Sequence, residues 1–381
     1  MSDKMTPEIR FRGFSDDWEQ RKLGDILKVN SGRDYKHLHS GNIPVYGTGG
    51  YMLSVDDKLS QQDGIGIGRK GTIDKPQYLS APFWTVDTLF YLTPLNNHKL
   101  KFIQQITYII NWKKYSEQTG VPSLSKNSIE KIDINVPEIT EQTKISELLR
   151  TLDNTIALHL FKLEMLKKLK RGYLQVMFPE NQRTIPYLRF ANFSSPWEQR
   201  RLGEVKDIRD GTHDSPKYHK TGHPLVTSKN LSDSGLNMGD ISLINNTDFN
   251  RINKRSQVDI NDILFGMIGS IGHPVLISRN DFAIKNVALI KNNQEIPNHF
   301  LLQLLKSPIF NKYIKNKSAG NTQKFLGLNT IRNFIFNVPE TKEQNKIGSI
   351  FRQLDNNIAL HQAKTEKLQQ IKKAYLQKMF I

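Results

Sequence analysis

Residues 134–178 read INVPEITEQTKISELLRTLDNTIALHLFKLEMLKKLKRGYLQVMF, and residues 336–380 read FNVPETKEQNKIGSIFRQLDNNIALHQAKTEKLQQIKKAYLQKMF. Aligned without a gap at an offset of 202, the two stretches are identical at 25 of 45 positions, which marks an internal duplication. Each copy starts with proline and acidic residues, Pro137, Glu138 and Glu141 in one and Pro339, Glu340 and Glu343 in the other. These suit a helix N-terminus, with its unpaired N–H groups and positive dipole end. Apolar residues then return at three- and four-residue steps. They are Ile145, Leu152, Ile156, Leu163, Leu166 and Tyr173 in the first copy and Ile347, Leu354, Ile358, Leu368 and Tyr375 in the second. The spacing predicts two long amphipathic helices.

A helix of about 38 residues is roughly 57 Å long at 1.5 Å per residue, and it cannot cover its own apolar stripe. A whole globular segment separates the copies, so the two stripes are expected to cover each other as an antiparallel pair of spacers rather than as a local hairpin.

Working outward, a second repeat precedes each globular segment. IRFRGFSDDWEQRKLGDI at 9–26 and LRFANFSSPWEQRRLGEV at 188–205 share 10 of 18 residues at an offset of 179. Trp18 and Trp197, with Phe11, Phe14, Phe190 and Phe193, lie in this shared part and read as packing anchors rather than base-stacking groups. Between the shared ends the halves keep a framework and change their loops. GRDYKHLHSGNIPVY from Gly32 answers GTHDSPKYHKTGHPLV from Gly211, GRKGTI at 68–73 answers GMIGSI at 266–271, and PFWTVDTLFYL at 82–92 answers DFAIKNVALIK at 281–291. Strands, polar loops and turns are expected there. Helical patterns follow at 99–115 and 299–314, then polar turns at 119–129 and 319–331. The expected class is α+β: two α/β modules of common topology, separated by two long antiparallel helices that form a coiled-coil spacer, with an internal pseudo-two-fold. The expected divisions are 1–135 for the first module, 136–178 for the first spacer helix, 179–187 for a linker, 188–335 for the second module and 336–381 for the second spacer helix.

The chain has 381 residues, which favours two domains. Lys plus Arg number 54 against 37 Asp plus Glu, a formal charge of +17 that points to a polyanionic partner, nucleic acid before an anionic membrane surface. No apolar run approaches a membrane span and MSDKMTPEIR lacks a signal-peptide core, so a soluble protein is expected. The absence of cysteine excludes disulfides, thiolate metal sites and thiol catalysis, and fits a reducing, cytoplasmic compartment.

No catalytic or metal-binding constellation stands out. GIGRKG at 66–71 has the form G-x-G-x-x-G, but Thr72, Ile73, Asp74, Lys75 and Pro76 follow where a dinucleotide site needs a helix, so a strand turn is expected. Walker A and HExxH sequences are absent, as are the Asn/Asp-Pro-Pro-aromatic motif and glycine-rich loop of an amino-methyltransferase. SPKY at 215–218 is the nearest approach. Glu340-Thr341-Lys342 supplies only the last piece of a metal-dependent nuclease motif, and its counterpart is Glu138-Ile139-Thr140. His159 and His361, one per helix, read as paired core residues.

Sequence reading of nucleic acid needs Lys and Arg for phosphates and Asn, Gln, Arg, Ser and Thr for base edges. The variable loops hold that mixture. The candidates in the first module are Arg33, Tyr35, Lys36, Tyr46, Arg69, Lys70, Lys75, Ser123 and Lys126. In the second they are Thr212, His213, Lys217, Tyr218, Ser228, Lys229, Asn230, Lys285, Asn321, Gln323 and Lys324. The run Lys167, Lys168, Lys170 and Arg171 reads as a solvated helix face.

Taken in order, the opening F-x-x-x-W-E-Q-R-x-L-G elements, the GTHDSPKY and DILFGMIGSIG segments and the repeated VPE…LDN-x-IALH…YLQ-x-MF helices resemble the specificity subunit of type I restriction-modification systems, the S or HsdS family, over essentially the whole chain. The resemblance implies that each module is a target recognition domain reading one half of a bipartite double-stranded DNA target. It implies a non-catalytic subunit that carries two modification (methyltransferase) subunits, with restriction subunits joining them. S-adenosylmethionine, ATP and Mg are then expected on those partners, and no cofactor on this chain. A self-sufficient DNA enzyme is the rival reading, and the missing motifs count against it. A non-specific nucleic-acid scaffold is the other, and a kept framework with divergent loops counts against that.

Overall fold

The computed structural model describes residues 6–118, 120–180, 183–318 and 325–380. They form two compact units. One runs through Leu160 and resumes at Ala363; the other is Phe161–Gln362. The units therefore divide both long helices instead of following the ends of the modules, because each half-helix packs on the module beside it.

In the first unit the strands are β1 Glu19–Lys22, β2 Leu27–Ser31, β3 Ser40–Gly47, β4 Gly50–Val55, β5 Gly64–Gly68, β6 Gln77–Leu79, β7 Trp84–Thr85, β8 Leu89–Pro94 and β9 Asp133–Val136. An antiparallel sheet of order β2-β8-β5-β6 lies beside a mixed sheet of order β4-β3-β7, in which β3 and β7 are parallel. The remaining pair, β1 with β9, sets Glu19 opposite Val136 and brings the repeated N-terminal stretch to the start of the long helix. The glycines of GIGRKG serve packing. A Cβ on Gly66 would meet Gln77 Cγ at 2.9 Å, and one on Gly68 would meet the Thr72 carbonyl at 2.0 Å. As the sequence predicts, the segment is a strand running into a turn, and strand β6 rather than a helix comes next.

The second unit repeats this plan with β10 Glu198–Arg201, β11 Ile208–Asp210, β12 His223–Val226, β13 Leu231–Ser232, β14 Gly235–Leu236, β15 Ser242–Ile244, β16 Ile263–Gly266, β17 Gly272–Leu276, β18 Ala283–Ile284, β19 Val287–Ile290 and β20 Ile335–Val338. Its sheets have the orders β11-β19-β16-β17 and β15-β12-β18, again with a parallel β12–β18 pair, and β10 pairs with β20. The small hairpin β13–β14 is inserted between β12 and β15, where the first unit has only the turn between β3 and β4. Two sequence expectations are corrected here. The helical pattern at 99–115 breaks at Ile110, where ψ is 127°, into the helix Leu100–Ile109 and a separate 3-10 turn, Trp112–Tyr115. The helical pattern at 299–314 is two helices, Asn298–Lys306 and Pro308–Ser318, because the residue before Pro308 takes an extended conformation (Ser307, ψ 160°).

The long helices are Ile139–Val176 and Thr341–Lys378, each of 38 residues. Inside the first unit, Ile145 and Leu149 share a core with Met379 and Phe380, while Leu148, Leu152 and Tyr375 pack at its edge. Asp153 binds Lys372 at 2.6 Å, so the two helix halves run antiparallel there. Inside the second unit, Ile347, Phe351 and Leu354 share a core with Leu174, Met177 and Phe178, with Leu166 and Tyr173 at its edge, and Lys170 binds Asp355 at 2.5 Å. These two ion pairs are the same pair under the 202-residue repeat. Ile156, Leu163, Ile358 and Leu368 are half-buried, so the stripe predicted from periodicity is covered most fully where it meets the modules.

The Met-Phe that closes each copy belongs to the repeat, but the sequence reading assigns it no packing role. Phe380 stacks on Phe102 at 5.4 Å and meets Trp18 edge-on at 6.1 Å. Phe178 stands equivalently, at 5.8 Å from Phe300 and 6.2 Å from Trp197. Both tryptophans are buried packing anchors, as expected from their place in the repeat. A second repeated tie is ionic. Arg10 grips Glu141 through two 2.8 Å hydrogen bonds, and Arg189 grips Glu343 through two more of the same length. Both carboxylates are fully buried, so each needs its guanidinium to offset desolvation.

Candidate nucleic-acid interface

In both units one short segment of backbone gathers the variable loops. In the first, Arg33 N–H donates to Thr85 O at 2.9 Å, Val86 N–H to Tyr46 O at 3.1 Å and Arg69 N–H to Thr88 O at 2.8 Å. Leu124 N–H donates in turn to Arg69 O at 2.9 Å, and Lys70 bridges Ser123. In the second unit Thr212 N–H donates to Ile284 O at 3.0 Å, Lys285 N–H to Val226 O at 2.9 Å and Leu326 N–H to Met267 O at 2.8 Å, with Ile268 bridging Phe325. The donors and acceptors sit at matching positions of the repeated framework. Different side chains are thus held on one scaffold, and backbone bonds leave those side chains available to a ligand.

Within the first cluster Arg33, Lys36, Arg69, Lys70 and Lys75 are exposed. The Arg69 guanidinium lies 5.8 Å from the centroid of Phe90, which limits its motion. Lys126 pairs with Glu130 at 3.6 Å on its own short helix. Tyr35 and Tyr46 are half-buried against a small core of Val45, Val55, Trp84, Val86 and Leu89, so each presents only its outer edge. Ser123 is buried, and its backbone joins the cluster to residues 116–117. That makes it a scaffold position, which its residue type does not reveal.

Within the second cluster Lys217, Tyr218 and Lys229 are exposed, and together with Thr227, Asn237, Asp240, Ser270 and Asn286 they border a cavity of about 630 Å³, Lys217 excepted. His213 is held between Asp210 at 2.9 Å and Asn286 at 2.8 Å. Asp210 is held in turn by Arg255. Lys285 Nζ donates to Ser215 Oγ at 2.8 Å, and Thr212 shares the bridge with Lys285. Two candidates are braces. Asn230 donates to Asn237 O and Asp240 O, both at 3.2 Å, and its Oδ1 accepts from Thr227 N at 2.9 Å; buried Ser228 donates to Asn286 O at 3.2 Å. Asn321, Gln323 and Lys324 lie outside the described residues.

Sequence reasoning missed three features of these clusters. Asn286 adopts a left-handed backbone, φ +56°, at the rim of the cavity. Asn237 and Asp240 come from the β13–β14 insertion, which no periodicity announces. Tyr51 and Met52 stand out in water in the first cluster. The signal for them was GTGG at 47–50, a turn sequence followed at once by two large apolar residues. Among the described residues no group of His, Asp or Glu is placed to hold a metal ion, and no helix is long and apolar enough to cross a membrane.

The sequence model of one protein family, the type I restriction modification DNA specificity domain, matches residues 15–168 and again 194–370. The type I restriction enzyme MjaVIII specificity subunit of Methanocaldococcus jannaschii is 22% identical over 94% of this chain and 91% of its own length. The putative type I restriction enzyme MjaX specificity subunit of the same organism is 26% identical over 48% of this chain and 45% of its own. The crystal structure of a type I restriction-modification S subunit from M. genitalium has the same fold, with a TM-score of 0.71, 16% identity and 99% of each chain covered. Two framework units built on one hydrogen-bond plan, each matching one copy of that domain, place the chain in the type I restriction-modification DNA specificity family.

Proposed function

We propose that this chain is the DNA-reading subunit of a type I restriction-modification complex, with each loop cluster reading one half of a bipartite double-stranded target. One observation carries this reading. Matching backbone hydrogen bonds hold the framework whose loops carry exposed Arg33, Lys36, Arg69 and Lys70 in one unit and exposed Lys217, Tyr218 and Lys229 in the other, where Tyr218 and Lys229 border a cavity. A constant scaffold with different side chains is what separate half-sites require, since phosphate contacts position and base contacts specify. Two modification subunits supply S-adenosylmethionine chemistry, and restriction subunits bring ATP and Mg. The duplicated framework offers equivalent surfaces to the two copies of the first partner. The assembly works in the cytoplasm.

The test combines binding and chemistry. Purified chain is expected to bind duplex DNA with an affinity that falls roughly a thousandfold between 50 and 200 mM salt, the loss expected for about six to ten phosphate contacts. Incubated with DNA and labelled S-adenosylmethionine, it is expected to transfer no methyl group until the modification subunits are added. Methyl transfer by the chain alone, or salt-insensitive binding, contradicts the proposal.

A further inference from the structure

The β3–β4 hairpin of the first unit breaks the rule that strand residues alternate in and out. Tyr51 is 62% exposed and its neighbour Met52 49% exposed. The pairing explains this. Val45 lies opposite Leu53 but Tyr46 lies opposite Tyr51, so Met52 is the extra residue of a bulge. A bulge re-aims side chains and puts neighbours on one side of the ribbon. Tyr46 meets Tyr51 edge-on at 6.5 Å, and Met52 lies so close over Gly47 that a Cβ there would come within 2.7 Å of its Sδ. The tip is also braced. Gln77 Nε2 donates to Gly47 O at 2.8 Å, Val86 N–H donates to Tyr46 O, and the Tyr51 hydroxyl shares a 3.1 Å hydrogen bond with Ser54. A stiff apolar tip in water, tied through residues 84–89 to the loops of Arg33 and Arg69, needs an apolar surface flanked by negative charge as its ligand. The face of a base pair between two phosphate backbones has that chemistry.

We infer that the β3–β4 tip is a wedge that inserts Tyr51 and Met52 at a base step of the first half-site and unstacks it. The inference rests on the DNA-reading function proposed above. Apolar wedges unstack steps at the expense of stacking energy, recovered through closer protein contact, and aromatic stacking on a base compensates part of the loss. The second unit carries no equivalent tip. Its matching hairpin opens into residues 227–241 around the cavity, so unstacking is expected in one half-site alone.

The experiment uses the full chain without modification subunits, so that no target base is extruded by a methyltransferase. Duplexes are selected from a randomised library by the wild-type chain. Unstacked bases are then mapped with permanganate for thymines and diethyl pyrocarbonate for purines. The wild type is expected to give one hyper-reactive step in the first half-site. Tyr51→Ala with Met52→Ala is expected to abolish it and weaken binding about tenfold, while Tyr51→Phe keeps both. A double variant with unchanged reactivity and affinity overturns the wedge, as does weakened binding with no hyper-reactive step in the wild type. A separate pull-down with modification subunits supplies the last arm: a double variant that binds DNA normally but is no longer captured by them overturns the wedge and makes the tip a protein contact. Failure of the wild type to select any duplex would strike the underlying function instead.

Discussion

The first unit closes its β3–β4 hairpin within two residues, Thr48 and Gly49, and exposes an aromatic tip; the second opens the same hairpin into residues 227–241 and encloses a cavity of about 630 Å³. One is a convex apolar tip, the other a concavity that mixes polar side chains with Leu225 and Ile268. Yet Val86 N–H to Tyr46 O in the first and Lys285 N–H to Val226 O in the second are the same bond of the same scaffold. The difference teaches that the backbone hydrogen bonds common to both units suffice as the shared frame, while side-chain braces such as Asn230 to Asn237 O or Gln77 to Gly47 O differ from one unit to the other. Side chains and loop lengths are then free to change without loss of the framework, which is how one duplicated sequence comes to carry two different reading surfaces.

The largest effects are expected where the units are most alike. Phe178 and Phe380 are both buried plugs among tryptophan and phenylalanine rings. Phe178→Ala and Phe380→Ala should each cost about 3–5 kcal/mol. Urea unfolding followed by hydrogen exchange should show the loss confined to the second unit for Phe178 and to the first for Phe380. A change of either that loosens both units alike breaks the comparison.

A smaller effect is expected where the units differ inside the framework. Lys206 occupies the position of Leu27 under the 179-residue repeat, and both are buried. Burial pushes the Lys206 ammonium down to about 8, against the pull of Asp262 and Glu295. Because the folded value lies below the unfolded one, the unfolded chain binds the extra proton between about pH 8 and the ordinary lysine range. The destabilisation is therefore complete below about pH 8 and relieved as the pH rises from there. Lys206→Leu should remove this dependence. Its stability advantage over the wild type is expected to be about 2–3 kcal/mol larger at neutral pH than near pH 10.5. The advantage is reduced by the loss of the Nζ bond to Asn293 Oδ1 at 3.0 Å. Denaturant titrations at the two pH values check it, and a pH-independent difference would show that Lys206 keeps its charge at no cost.

Much of the architecture was legible before the structure. The helices were, because 25 identities in 45 and a 3.6-residue period both pointed to them. The common module topology followed from paired segments in the same order. What stayed hidden has specific physical causes. The Met-Phe at the end of each copy lies beyond the amphipathic stripe, and only tertiary contact with Trp18 or Trp197 shows that it is a plug. Ser228 and Asn230 have side chains equally suited to a base edge or a neighbouring carbonyl, and sequence does not separate the two uses, while Ser123 is buried and tied through its backbone. The exposure of Met52 comes from a bulge, which changes which way a side chain faces without changing residue type. Lys206 reads as surface in any sequence and is buried by its place in the repeat.

The central claim is that two separate loop clusters each read their own half-site. Exchanging residues 27–133 for the equivalent segment of a related specificity subunit tests it most directly, with targets of the parent and the hybrid selected from one randomised duplex library in the presence of modification subunits. The account predicts two short half-sites for each protein, with the one assigned to the first unit replaced and the other retained base for base. A hybrid that changes both half-sites together, or a parent that selects a single contiguous site, would contradict it.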